Sequence, residues 1–204
     1  MRLYAGTCAA LLVCVAACGT GPPLRTYLLT PPLHSAVVPG QISPTPRILV
    51  PRVLVPDYLD TTDIVLRDGS NEVKVSATGR WGERLSHGLT RELAAELGAR
   101  LPTDKVMLDR LGSAQSRLLI DVSALDLWPD GRCAMAATWA IVETATPHAV
   151  IYGSGTFDSS PVGSTIAVDD GRLVDAVSRT VGKLADAIAL NMTQSAGRSA
   201  VGAE

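Results

Sequence analysis

WGERLSHGLTRELAAELGARL, residues 81–101, is the stretch that decides the fold. Trp81, Leu85, Leu89, Leu93, Leu97 and Leu101 recur every four residues, while Glu83, Arg84, Arg91, Glu92, Glu96 and Arg100 fall largely elsewhere. The spacing predicts an amphipathic helix with one apolar stripe and one solvated face, ended by Pro102. Such a stripe must lie on a second layer, and the flanking sequence supplies strands for it. On the amino-terminal side, Ile64-Val65-Leu66-Arg67 and Glu72-Val73-Lys74-Val75 enclose Asp68-Gly69-Ser70-Asn71, a hairpin signal. On the other side, Leu118 to Leu127 reads as a half-buried strand. Trp128-Pro129-Asp130-Gly131 is a turn, and Arg132 to Glu143 returns as the paired strand. A further strand runs from Ala149 to Phe157, where Gly153-Ser154-Gly155 predicts a bulge or a close backbone approach.

A second amphipathic helix follows Asp169-Asp170, which read as its cap. Leu173, Val174, Val177, Val181, Leu184, Ala185 and Ile188 line one side, with Asp175, Arg179, Lys183 and Asp186 mostly off it. Ahead of the hairpin, Ile48 to Pro56 reads as an extended strand in which Pro51 and Pro56 call for an edge or a bulge. The element order predicts one α+β domain of two layers, a mainly antiparallel sheet covered by two amphipathic helices.

Outside this domain the chain changes character. Arg2 precedes an uncharged apolar run that ends in Val15-Ala16-Ala17, directly before Cys18. One cation, a short apolar run and small residues at a cleavage point make a secretory signal, and the run is too short to span a bilayer. With Cys18 in the first position after it, the pattern resembles a bacterial lipobox. That resemblance implies a diacylglyceryl group on the Cys18 sulfur, cleavage before it, and acylation of the new amino terminus. Two or three acyl chains hold a bilayer far more durably than one. The expected organisation is a signal peptide over 1–17, a lipidated Cys18 and Pro/Gly-rich tether over 18–46, a folded domain over 47–194, and a flexible tail over 195–204.

Composition narrows the chemistry. The formal charge is -2, no basic patch stands out, and nucleic acid is not an expected partner. Aromatic residues make up 4% of the chain, with Phe157 the single Phe, so an aliphatic core is expected. Of four cysteines, Cys8 and Cys14 leave with the signal and Cys18 takes lipid, which leaves Cys133 without an intramolecular partner. Lying in a strand, it reads as an inert buried thiol. His34, His87 and His148 stand far apart without paired spacing, so no metal site is expected. There is no Gly-x-Ser-x-Gly elbow, and Gly182-Lys183 belongs to a helix stripe rather than a phosphate loop. Asp121 and Asp126, five apart, would face opposite sides of a regular strand. No catalytic residue and no cofactor is expected.

Several segments together resemble the ABC-type transport auxiliary lipoproteins. Arg47 to Leu59, with Val55-Pro56-Asp57-Tyr58-Leu59, is similar to the opening motif of that family. Tyr27-Leu28-Leu29, helix 81–101, the Gly112-Ser113-Ala114 step, the strand holding Trp139 and the terminal helix are similar in place and character. The resemblance implies a periplasmic lipoprotein of a diderm bacterium, lipid-anchored at the outer membrane. Its implied partners are a substrate-binding MCE-domain protein and inner-membrane transporter subunits, with lipid or another apolar molecule as cargo. Gly19 after the lipidated cysteine, in place of an Asp, favours the outer membrane. Closed rings occur among such accessories, so a homo-oligomeric ring is compatible with the resemblance, though the residues themselves specify none. Val55, Pro56, Asp57, Tyr58 and Leu59 form the candidate partner contact. The same segment reads equally well as a strand end whose Tyr58 and Leu59 pack on the core. A structural or assembly lipoprotein without a direct role in transport is the competing function.

Overall fold

The Asp68–Asn71 turn closes because Gly69 adopts φ +96°, a conformation open to glycine, and the Asp68 amide donates to the Glu72 carbonyl at 2.8 Å. In the computed structural model, which describes residues 23–29, 48–101, 106–108, 114–145, 150–161 and 169–201, this hairpin joins β3 (Asp63–Arg67) to β4 (Val73–Trp81). β1 (Arg25–Tyr27) pairs parallel to the end of β4, giving a three-stranded sheet in the order β1-β4-β3. The larger sheet has the order β5-β2-β6-β7-β8, from β2 (Ile48–Val50), β5 (Val106–Leu108), β6 (Ser116–Leu127), β7 (Cys133–Glu143) and β8 (Val150–Ser159). Two helices, α1 (Leu85–Arg100) and α2 (Asp170–Val201), pack on one another and on the larger sheet.

The fold is α+β, as the pattern predicts, with two sheets where one was expected. The long pairings β3/β4, β6/β7 and β7/β8 are antiparallel, while the short ones, β1/β4, β2/β5 and β2/β6, are parallel. β2 lies between β5 and β6 rather than at an edge. Its pairing stops at Val50, so Pro51 and Pro56 fall beyond it and remove no donor from the ladder. Trp81 ends β4 instead of starting the helix, and the helical stripe begins at Leu85. Leu85, Leu89, Leu93 and Leu97 are buried together with Val177, Val181, Leu184 and Ile188 of α2 and Leu118, Ile120, Met135 and Ile141 of the sheet. Pro102, His34 and His148 lie outside the described residues.

Two sequence expectations change for specific reasons. Glu92, placed on the solvated face by its spacing, is buried because α1 is covered on a second side by α2, where Ser178 hydrogen-bonds its carboxyl. Asp121 and Asp126 come to the same face of β6, because a bulge between Val122 and Ala124 shifts the alternation by one residue. Val122 and Leu125 both point inward across that bulge. Asp126 there receives Arg67 Nη2 at 2.6 Å and Nε at 3.0 Å, tying β6 to the smaller sheet. β8, by contrast, pairs with β7 without a register shift. Its glycines mark close approach: a Cβ on Gly153 would collide with the Trp139 indole.

The two acids before α2 divide the work. Asp169 caps the helix, its Oδ1 accepting the Arg172 amide at 3.1 Å. Asp170 is buried and accepts the hydroxyls of Ser76 at 2.7 Å and Thr78 at 2.6 Å, fixing α2 to β4.

Candidate functional site

The segment between β2 and β3 carries the motif singled out in the sequence, and backbone bonds hold it rigidly. The Val53 amide donates to Thr90 Oγ1 of α1 at 2.9 Å. Leu54 donates to the Ile120 carbonyl at 3.0 Å and accepts the Val122 amide at 2.9 Å, a single parallel bridge onto β6. After Pro56 the chain makes a tight turn. The Pro56 carbonyl accepts the amides of Leu59 at 2.9 Å and Asp60 at 3.2 Å, and the Asp57 carbonyl accepts Asp60 as well. Pro suits the start of such a turn because its φ is preset.

The turn sorts the five motif residues. Leu59 is 3% exposed and belongs to the core, and Val55 packs against the core from a partly buried position. Tyr58 is 46% exposed, and Asp57 beside it is exposed. Pro56 is half-buried between them. Of the two aromatic and aliphatic candidates, Leu59 packs as a strand-end residue would, and Tyr58 stands out toward solvent.

Asp60, which no spacing in the sequence singles out, makes this turn architectural. Asp60 Oδ1 accepts the Ser86 amide in the first turn of α1 at 3.1 Å, and the Thr61 carbonyl accepts the Leu85 amide at 3.2 Å. Arg84, at the N-cap position, has no capping side-chain bond of its own, so the loop supplies the cap from elsewhere. Burial pushes the Asp60 carboxyl up, but the Ser86 hydrogen bonds and the Arg84 and Arg52 charges outweigh it and hold the pKa below the ordinary value. A capping residue 25 positions before the helix start leaves no local spacing signal.

Beside this loop the outer face of the larger sheet forms an open groove of about 710 Å³. Leu119, Ala140 and Tyr152 stand in one row across β6, β7 and β8, and Leu54 and Pro51 close the near side. Leu54 is 62%, Leu119 46% and Tyr152 75% exposed, an apolar cluster on a face the helices do not cover. Arg52 and Asp121 stand among its lining residues, so the groove is bordered by one charge of each sign. The bulge-dependent face of β6 and the strand register build this patch, and neither is legible in the spacing.

Cys18 lies outside the described residues. Among the described residues no group of His, Cys, Asp and Glu could hold a metal ion, and no helix is long and apolar enough to cross a membrane. His87 is exposed on α1. Cys133 is buried and free, and burial pushes its thiol pKa up to about 11.

Residues 27–189 match the model of the ABC-type transport auxiliary lipoprotein component. The intermembrane transport lipoprotein PqiC of Escherichia coli is 27% identical over 141 residues, covering 69% of this chain and 74% of that protein, and PqiC of Shigella flexneri matches equally. Among solved structures, an uncharacterized protein superposes with TM-score 0.66 at 20% identity over 83% of this chain and 99% of its own. A protein of Xanthomonas campestris superposes with TM-score 0.58 at 16% identity, over 87% of this chain and 98% of its own. These likenesses bear on the fold alone. The matched span takes in the 55–60 turn, the larger sheet, β3 and β4 of the smaller one and most of α2, and the chain belongs to the ABC-type transport auxiliary lipoprotein family.

Proposed function

We propose that this chain is a noncatalytic accessory subunit of an MCE-type intermembrane transport system. In this reading Cys18 carries the lipid that holds it to the periplasmic face of the outer membrane, and the folded domain docks the MCE assembly there. The cargo is lipid or another apolar molecule. A molecule of that kind needs continuous shelter between membranes, since each exposed methylene costs about 0.8 kcal/mol. The observation that carries the reading is the family match over 27–189, joined by the PqiC relatives, whose name is that of an intermembrane transport lipoprotein. A homo-oligomeric ring would present several copies of the docking loop to a tubular partner. The competing reading is an assembly lipoprotein that scaffolds an envelope complex without touching cargo.

Val55, Pro56, Asp57, Tyr58 and Leu59 are the proposed contact region, with Tyr58 the side chain placed to meet a partner. Leu59 is a core residue, so a charge there would test folding rather than docking. A photo-crosslinking amino acid at position 58 of the membrane-anchored chain, in cells that also express the neighbouring MCE protein, tests the reading. An adduct between the two supports it, with Tyr58→Asp lowering co-purification while the thermal midpoint holds. Adducts only to unrelated envelope proteins would favour the scaffold reading.

A further inference from the structure

Among the described residues β8 is the last strand of the larger sheet, and its backbone defines what could cover its outer side. The Trp128 amide donates to the Arg132 carbonyl at 3.0 Å, which sets the phase of the antiparallel ladder. Cys133, Met135 and Ala137 then turn their backbone groups toward β8, where their register partners are Ser159, Phe157 and Gly155. The intervening Tyr152, Ser154 and Thr156 present their amide and carbonyl groups to the other edge, which no strand among the described residues pairs. Among the described residues the one hydrogen bond reaching that edge runs from Lys183 Nζ to the Asp158 carbonyl, at its carboxyl-terminal end.

Long exposed edges are usually blunted by lysine, proline or a bulge. β8 has none: its ten residues read VIYGSGTFDS, with Asp158 the single charge, and the pairing with β7 is unbroken from Val142↔Val150 to Cys133↔Ser159. The same residues that expose backbone groups also carry the outer-face side chains, and Tyr152 stands beside the apolar row with Ala140 and Leu119. At the other end, Lys183 and Arg179 of α2 reach the Asp158 and Ser160 carbonyls, and neither has an ion-pair partner among the described residues.

We infer that the free edge of β8 takes an extended segment of a partner polypeptide as a sixth strand of the sheet, with an apolar side chain against Tyr152 and an acidic one meeting Lys183 and Arg179. Main-chain bonds supply affinity in such strand addition, and alternate side chains supply selectivity. A second copy pairing through its own β8 fits less well. In an antiparallel β8 pair centred on Ser154, the residue brought opposite Asp158 is Val150, which offers the two cations no acid. This edge is separate from the 55–59 loop, so the inference does not depend on the transport reading.

The test is fluorescence polarisation on the purified lipidated chain in detergent. The probe is the labelled peptide Asp-Glu-Val-Thr-Val-Ser-Val-Thr, whose acids reach Lys183 in antiparallel addition. Two controls accompany it, one beginning Lys-Lys and one N-methylated at alternate residues. The acidic peptide is expected to bind at least about tenfold more tightly than the basic one, and the N-methylated peptide not at all. Ser154→Pro, which removes an edge-facing donor and leaves the β7 ladder intact, should abolish binding with an unchanged circular dichroism spectrum. Should that variant misfold, Lys183→Glu with Arg179→Glu should invert the preference between acidic and basic probes. Absence of saturable binding, equal binding of the N-methylated probe, or retained affinity in folded Ser154→Pro would overturn the inference. So would light scattering that shows Ser154→Pro converting an oligomer to a monomer, since the edge would then belong to a second copy.

Discussion

Asp60 Oδ1 accepts the Ser86 amide at 3.1 Å across 26 positions of sequence, which ties the end of the Val55–Leu59 loop to the start of α1. The loop that holds the proposed contact residue Tyr58 is thereby anchored on a helix rather than free to drift. Asp60→Ala is expected to cost about 1 kcal/mol, the usual worth of a cap, measured by urea denaturation at neutral pH. An unchanged midpoint would show instead that the loop's other bonds make this one redundant.

Asp60 and Glu92 should bend the pH dependence of stability in opposite directions. The Asp60 pKa is lowered in the folded chain, so its contribution is full above the ordinary carboxylate value and is lost as pH falls through the lowered one. Burial raises the Glu92 pKa, Ser178 opposing and Glu96 adding to it, so the folded chain holds that proton more tightly than the unfolded one. Stability from Glu92 is therefore present below the ordinary value and declines as pH rises through the raised one. One Glu92 oxygen has no hydrogen-bond partner among the described residues, and charging it there is costly. Glu92→Gln should raise the thermal midpoint at pH 8 and flatten the decline above the ordinary carboxylate range, while a parallel shift at every pH would contradict this.

Gly153 and Trp139 form a second constraint, on the sheet side of the groove. Trp139 Nε1 donates to Asn191 Oδ1 of α2 at 3.2 Å, which holds the indole in the space a Cβ on Gly153 would need. Gly153→Ala should destabilise the chain by about 1–3 kcal/mol through overpacking. Trp139→Phe, which vacates part of that space, should recover some of the loss in a double-mutant cycle, and strict additivity would show that the two do not compete.

Cys133 should resist alkylation. With Cys133 1% exposed and its thiol pKa pushed to about 11, iodoacetamide at pH 8 is expected to leave it unmodified in the native chain and to label it after denaturation. Fast native labelling would mean that β7 opens locally.

How far the sequence reaches can be judged from particular residues. The leucine stripe of α1, the valine and leucine stripe of α2 and the glycine-centred turns at Gly69 and Gly131 were legible, because each depends on neighbours within a turn or two. Glu92 was not, since its burial comes from a helix that arrives some 80 residues later in the chain. Nor were the shared face of Asp121 and Asp126, which hangs on one inserted residue in β6, and the row Leu119–Ala140–Tyr152, which hangs on register. In the candidate loop the motif was visible, while the division between buried Leu59, exposed Tyr58 and capping Asp60 required the turn itself. The split into two sheets escaped because β1, β2 and β5 are each three residues long and carry no period of their own.

In the proposed reading a hydrocarbon anchor on Cys18 holds this family member at a membrane. Its most direct measurement is the mass of the amino-terminal peptide from chain isolated out of bacterial envelopes. The expected peptide begins at Cys18 and carries diacylglyceryl and a further acyl group. A peptide that begins elsewhere, or one that starts with an unmodified cysteine, would contradict it.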